Sequence, residues 1–112
     1  MKIIYGKRRS GKTAEIIKQC SQDKHSLIVV PNSQMRDCVF LQSQEMGCSI
    51  PNPITFDDFI NARFNGFKVE KFYFDELIMC IKKFTNGVPI EAVNLVSDEF
   101  FEKVILSEEK KQ

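Results

Sequence analysis

Residues 6–13 read GKRRSGKT: two glycines bracket a four-residue insert that is mostly cationic, and a lysine and a threonine follow. Gly6, Lys7, Arg8, Arg9, Ser10, Gly11, Lys12 and Thr13 satisfy G-x-x-x-x-G-K-[ST] in full. The chemistry this spacing serves is the holding of phosphate. Gly6 and Gly11 permit backbone conformations and a close approach that a Cβ would block. Successive N–H groups then turn inward around an anion, helped by the positive end of a following helix. Lys12 is placed to reach β- and γ-phosphates, and the Thr13 hydroxyl to ligate a Mg²⁺ that bridges them. Lys7, Arg8 and Arg9 fill the variable positions and raise the local positive potential. They serve either as a solvated face or as contacts to a nucleic-acid backbone or a partner.

Such a loop needs a carboxylate at the end of another strand. In KFYFDE, the apolar Phe72, Tyr73 and Phe74 run into Asp75 and Glu76. The carboxyl ends of parallel strands face the crevice where open α/β sheets bind ligands. Asp75 is therefore the expected Mg²⁺ residue, acting through water, and Glu76 the residue that orients or polarises an attacking water. Lys12 and Glu76 are the catalytic candidates. NLVSDE offers a rival pair, Asp98 and Glu99, but Ser97 interrupts the apolar run there and Asp98 suits a helix cap. Asn94 and Ser97 are candidate γ-phosphate sensors, with solvated strand-end residues as the alternative.

The surrounding pattern supplies elements that could position these groups. Residues 2–5 are a short apolar run ending at Gly6, which predicts a strand and a turn. From Lys12 the apolar positions Ala14, Ile16, Ile17 and Cys20 fall on one helical stripe. SLIVVP (26–31) is a β-branched run closed by proline and reads as the central strand of a covered sheet. Residues 32–47 predict a helix capped by Asn32 or Ser33 and ended by Gly47, with Met35, Cys38, Val39, Gln42 and Met46 facing the core. Residues 55–64 predict a helix capped by Thr55, with Asp57 and Asp58 in its first turn. Residues 68–76 predict a strand, 76–84 a helix and 90–96 a strand. Residues 97–111 predict a helix, with one more strand at KVIL as the alternative. Strands alternating with helices imply an α/β fold with a mainly parallel sheet in one domain spanning 1–112. Right-handed crossovers put helices on both faces, a three-layer sandwich.

With GKRRSGKT followed by FYFDE, the chain resembles the P-loop NTPases. The Asp75-Glu76 pair is similar to that of the division with a catalytic glutamate, the RecA-like ATPases and helicases. The order PNSQ, then ITFDDF, resembles the first ATPase domain of superfamily-one helicases and related recombination nucleases. The resemblance implies a minimal RecA-like fold, with ATP and Mg²⁺ as ligands. It also implies single-stranded nucleic acid near the segment matched by Thr55 and Phe56, although Phe56 itself reads as core. No N-K-x-D motif for guanine is present, so ATP is the expected nucleotide. A helicase needs two such domains and an arginine from the second. Outside the loop the chain has only Arg36 and Arg63. A protein partner or a second copy is therefore expected to complete the site, with slow turnover in its absence.

Size and composition agree with one ordinary domain: 112 residues, 43% hydrophobic and 28% charged. The net charge of +1 means that any contact with a polyanion must come from a local patch. No apolar run approaches the ~20 residues of a membrane span, and MKII runs straight into glycine and cations, so a cytoplasmic protein without membrane contact is expected. Cys20, Cys38, Cys48 and Cys80 form no C-x-x-C and His25 has no thiol nearby, which argues against zinc and for free, buried thiols. Three functions compete: an ATPase linked to nucleic-acid processing or to a larger helicase assembly, a nucleotide-dependent regulatory module with little turnover, and a nucleoside-type kinase. The kinase would need an arginine-bearing lid that the sequence does not display.

Overall fold

A computed structural model describes residues 2–7, 9–64, 66, 68–94 and 102–106. The fold is mixed α/β with parallel pairing throughout. Its elements are β1 (Lys2–Tyr5), α1 (Lys12–Gln22), β2 (Ser26–Val30), α2 (Ser33–Glu45), β3 (Ile54–Thr55), α3 (Phe56–Ile60), β4 (Lys71–Phe74), α4 (Leu77–Lys82) and β5 (Glu102–Ile105). The chain divides into two units, Met1–Lys12 with Ile90–Gln112, and Thr13–Pro89. Among the described residues, no helix is long and apolar enough to cross a membrane.

The larger unit is built on β2. All five of its residues are buried, and it lies between β3 and β4 in a three-stranded parallel sheet. Val29 is opposite Ile54 on one side and Phe74 on the other. This is the environment that an unbroken β-branched run requires, because both faces and both ladder edges are covered. Val29, Phe56 and Cys80 form a buried cluster, with Ile54, Phe59 and Phe74 packed against it. The Phe56 ring meets Phe59, Phe74 and Phe84 at centroid distances of 5.9, 6.1 and 5.6 Å.

The helix ends follow the expected chemistry. Asn32 caps α2, its side chain accepting from Met35 N at 2.9 Å. Gly47 lies at φ +72° beyond the last turn, and Cys48 N closes that turn on Ser43 O at 2.9 Å. Thr55 caps α3, Oγ1 accepting from Asp58 N at 3.1 Å. Within α2 the buried residues are Val39 and Ser43, not the whole expected stripe. Cys38 is exposed, so only Cys20 and Cys80 are buried thiols. The apolar face is rotated towards the i, i+4 pair Val39 and Ser43, and Cys38 precedes it by one position, about 100° round the helix.

The smaller unit pairs β1 with β5, Lys2 opposite Glu102 through Tyr5 opposite Ile105. Leu106 N donates to Tyr5 O at 2.8 Å and continues the ladder. Two expectations change here. The helix predicted over 97–111 gives way to the strand alternative at 102–105, whose backbone groups pair with those of β1. The strand predicted over 90–96 is absent from its described part: residues 90–94 carry no strand, and residues 91–94 are exposed. Its last two residues, and 97–101 and 107–111 of the predicted helix, lie outside the described residues. The remaining elements are shorter than expected, α3 ending at Ile60 and β4 spanning Lys71–Phe74.

Phe56 is the aromatic that joins α3 to β2 and β4. Phe56→Ala should destabilise the chain by about 3–5 kcal/mol, against about 1 kcal/mol for Thr55→Ala, which removes only the cap. Urea denaturation followed by far-UV circular dichroism measures both. Equal losses would show that the aromatic cluster is not the core of this unit.

Candidate functional site

The boundary between the units falls between Lys12 and Thr13. In the smaller unit, β1 ends at Tyr5 and residues 6–11 form the loop ahead of α1. A Cβ on Gly6 would collide with Ser10 Oγ and lie 2.9 Å from Ser10 Cβ, so only glycine fits under that side chain. Ser10 N donates to Lys7 O at 3.1 Å, which closes a tight turn. Gly11 sits at φ +91° and Arg9 at φ +62°. The Lys12 ammonium lies within the loop, donating to Gly6 O at 2.9 Å, Lys7 O at 2.6 Å and Ser10 Oγ at 3.4 Å. The Lys12 ammonium is thus held by the loop's own oxygens, with a side chain excluded at Gly6 and a positive φ at both Arg9 and Gly11. Arg8 lies outside the described residues. Asn94 is exposed, and Ser97, Asp98 and Glu99 lie outside the described residues.

In the larger unit, the first residue of its chain meets the residue after β4. Thr13 Oγ1 donates to both Asp75 carboxylate oxygens, at 3.1 Å to Oδ1 and 3.3 Å to Oδ2. Asp75 is only 4% exposed. Its N–H donates to Val29 O at 3.0 Å and fixes the backbone at the end of the ladder. The two side chains that sequence spacing assigned to a Mg²⁺, 62 residues apart, are therefore in contact. A hydroxyl and a carboxylate are hard oxygen donors that suit this ion, which takes few protein ligands and completes its shell with water and phosphate. Among the described residues, no group of three or more His, Cys, Asp and Glu gathers to hold a metal ion.

Glu76, next in the chain, has φ 60° and ψ 56°, a left-handed conformation that glutamate seldom adopts, and its residue is exposed. It stands at the N-cap of α4 without a side-chain cap bond. Thr55 and Phe56, the positions matched to a nucleic-acid segment, are a helix cap and a core aromatic.

Some groups were not foreseen. Tyr73, read as a plain apolar strand residue, donates its hydroxyl to Asp23 Oδ2, and Lys71 pairs with Asp23 at 3.3 Å. Burial first, and then this acceptor, push the Tyr73 phenol above its ordinary range. The cluster ties the end of α1 to the start of β4, opposite to the end that carries Asp75. An open cavity of ≈ 410 Å³ is lined by Pro31, Asn32, Met79, Lys82 and Lys83. Neither group has a sequence spacing by which it could have been found. Beneath Asp75, the buried Cys80 thiol lies 3.9 Å from Asp75 O. Burial, followed by the Asp75 charge, raises this thiol to about 11, against a pull downward from Lys83.

The raised thiol has a consequence for stability. An unfolded thiol ionises near 9.0 and the folded one holds its proton to about 11, so the folded state binds more protons between them. Stability contributed by Cys80 is complete below about pH 9 and is lost as the pH rises through 11. Urea unfolding across this range should show the decline, and Cys80→Ala should make it shallower; the same slope in the variant would mean that the thiol ionises freely in the folded chain. No family model matches the chain, and comparison with curated proteins and with solved structures gives no match.

Proposed function

We propose that this chain is an ATP-binding P-loop protein with a Mg²⁺-dependent ATPase activity, a minimal RecA-like domain acting in the cytoplasm. Its work would be linked to nucleic-acid processing or to a larger helicase-type assembly. The observation that carries this reading is the complete phosphate-loop motif between β1 and α1, whose threonine hydroxyl is bonded to the carboxylate that ends β4. An isolated glycine-rich basic turn would not account for that pairing.

On this reading the loop's N–H groups receive the phosphates, and Lys12 exchanges the Gly6 and Lys7 carbonyls for phosphate oxygens. Thr13 and Asp75 are the residues that would hold Mg²⁺. When bound, the ion would neutralise charge that develops on the transferred phosphoryl group. Glu76 would take the proton of the attacking water, its exposed carboxylate lying one residue beyond the metal ligand.

One observation favours slow turnover in the isolated chain. Both arginines outside the loop are in ion pairs within it, Arg36 with Asp37 at 3.4 Å and Arg63 with Asp58 at 3.9 Å. An arginine supplied by a protein partner or a second copy would then set the rate, by as much as ~10³–10⁵ in comparable phosphate chemistry.

ATP binding and phosphate release with Mg²⁺ present test the proposal, with and without single-stranded DNA. Lys12→Ala should abolish nucleotide binding. Glu76→Gln should bind ATP and release phosphate ~10²–10⁴-fold more slowly. A wild-type chain that binds no nucleotide sinks the proposal. A Glu76→Gln variant as fast as wild type refutes the base role of Glu76 and makes the Asp98-Glu99 pair the next to test.

A further inference from the structure

We propose that Tyr73 and Asp23 are positioning residues for the Thr13–Asp75 pair: their hydrogen bond anchors the far end of α1 to β4, the strand that leads into Asp75, and so sets where Thr13 meets that carboxylate. This rests on the nucleotide-binding reading above, in which the pair holds Mg²⁺. The 11-residue α1 is about 16 Å long. At its start, Thr13 Oγ1 donates to both Asp75 oxygens. Just past its end, Asp23 accepts the Tyr73 hydroxyl and pairs with Lys71 at 3.3 Å. Tyr73 and Asp75 alternate with Phe74 and therefore share one face of β4. The helix is tied to a single strand at both of its ends. Ser26, only 1% exposed, holds the same far end from β2, its hydroxyl 3.0 Å from Cys20 O and 2.9 Å from Asp23 O.

Local chemistry does not account for Asp23. A carboxylate just past a helix C-terminus faces the negative end of the macrodipole, and the last turn of α1 carries no cation. The contact with β4 is what offsets this. Burial first, and then Asp23, push the Tyr73 phenol above its ordinary range, so the donor proton stays in place at neutral pH. Sliding α1 by one residue would carry Thr13 about 1.5 Å along the helix axis. Mg²⁺ demands near-ideal octahedral geometry at short distances, whereas Ca²⁺ accepts a larger and looser shell of oxygens. A helix released from Tyr73 should therefore lose Mg²⁺ preference before it loses phosphate binding, because the loop's N–H groups and Lys12 reach phosphate without help from Asp75.

Calorimetric titration of the full chain with ATP tests the assignment, in saturating Mg²⁺, in saturating Ca²⁺ and without divalent metal. Tyr73→Phe keeps the ring and removes only the hydroxyl. It should bind ATP about fivefold more weakly with Mg²⁺, with a smaller loss in Ca²⁺ and none without metal. Asp23→Ala should reproduce this pattern, and Asp23→Asn, which keeps an acceptor for the phenol, should lose less. Val39→Ala in α2 controls for lost stability alone and should keep wild-type affinity in each condition where urea unfolding shows it folded. Wild-type Mg²⁺ affinity in Tyr73→Phe and Asp23→Ala overturns the proposal. So does an equal loss in all three conditions, or the Mg²⁺-selective loss in Val39→Ala. If wild type binds no ATP in any condition, the nucleotide reading falls and this assignment with it. If wild type binds, Lys12→Ala does not and Tyr73→Phe is unaffected, the positioning role alone is refuted.

Discussion

Complete burial of β2 is the constraint from which the larger unit follows. Five consecutive buried residues leave their N–H and C=O groups to be paired by other strands, so both edges of β2 must be covered. β3 supplies one edge in two residues and β4 the other in four. Because parallel neighbours require a crossover, each edge strand arrives after at least one helix. Phe56 and Cys80 then cover Val29.

The position of Asp75 is a result of that ladder. Its N–H bonds Val29 O, so the carboxylate projects from a backbone already fixed by the core of the sheet. Thr13 meets it from the first turn of α1, whose buried Ile16, Ile17 and Cys20 hold the helix in place. A buried carboxylate needs a hydrogen-bond donor, and the hydroxyl supplies one to both of its oxygens. Glu76 follows with a left-handed backbone, and the chain leaves the strand for α4 through it. The loop in the smaller unit obeys a different rule, that of close winding. Gly6 leaves room for Ser10, and the Lys12 ammonium donates to the loop's own carbonyls.

Much of this was legible in local pattern. The β-branched run announced β2, Asn32 and Thr55 announced two helix starts, and Gly47 announced an end, because caps and turns are satisfied by atoms a few residues away. The pairing of Thr13 with Asp75 was foreseen only as a requirement of the motif's chemistry. Cys38 faces out, and the amphipathicity of α2 is too weak to mark its buried face in the sequence. EFFEKVIL fits both the helix and the strand period, and pairing with β1 makes residues 102–105 a strand. The Tyr73–Asp23–Lys71 cluster was invisible, since it joins residues some fifty positions apart that carry no motif.

What the amino-acid order determined by itself is the local chemistry: glycines where a Cβ would clash, a lysine and a hydroxyl in the following turn, an acidic pair behind an apolar run. These depend on covalent spacing and on backbone sterics, which the residue types state directly. The tertiary structure alone decided that Thr13 bonds Asp75 directly, which face of α2 is buried, and that residues 102–105 form a strand. Each of those outcomes is a choice among distant partners, set by the need to bury β2 on every side and to leave the backbone of β1 paired.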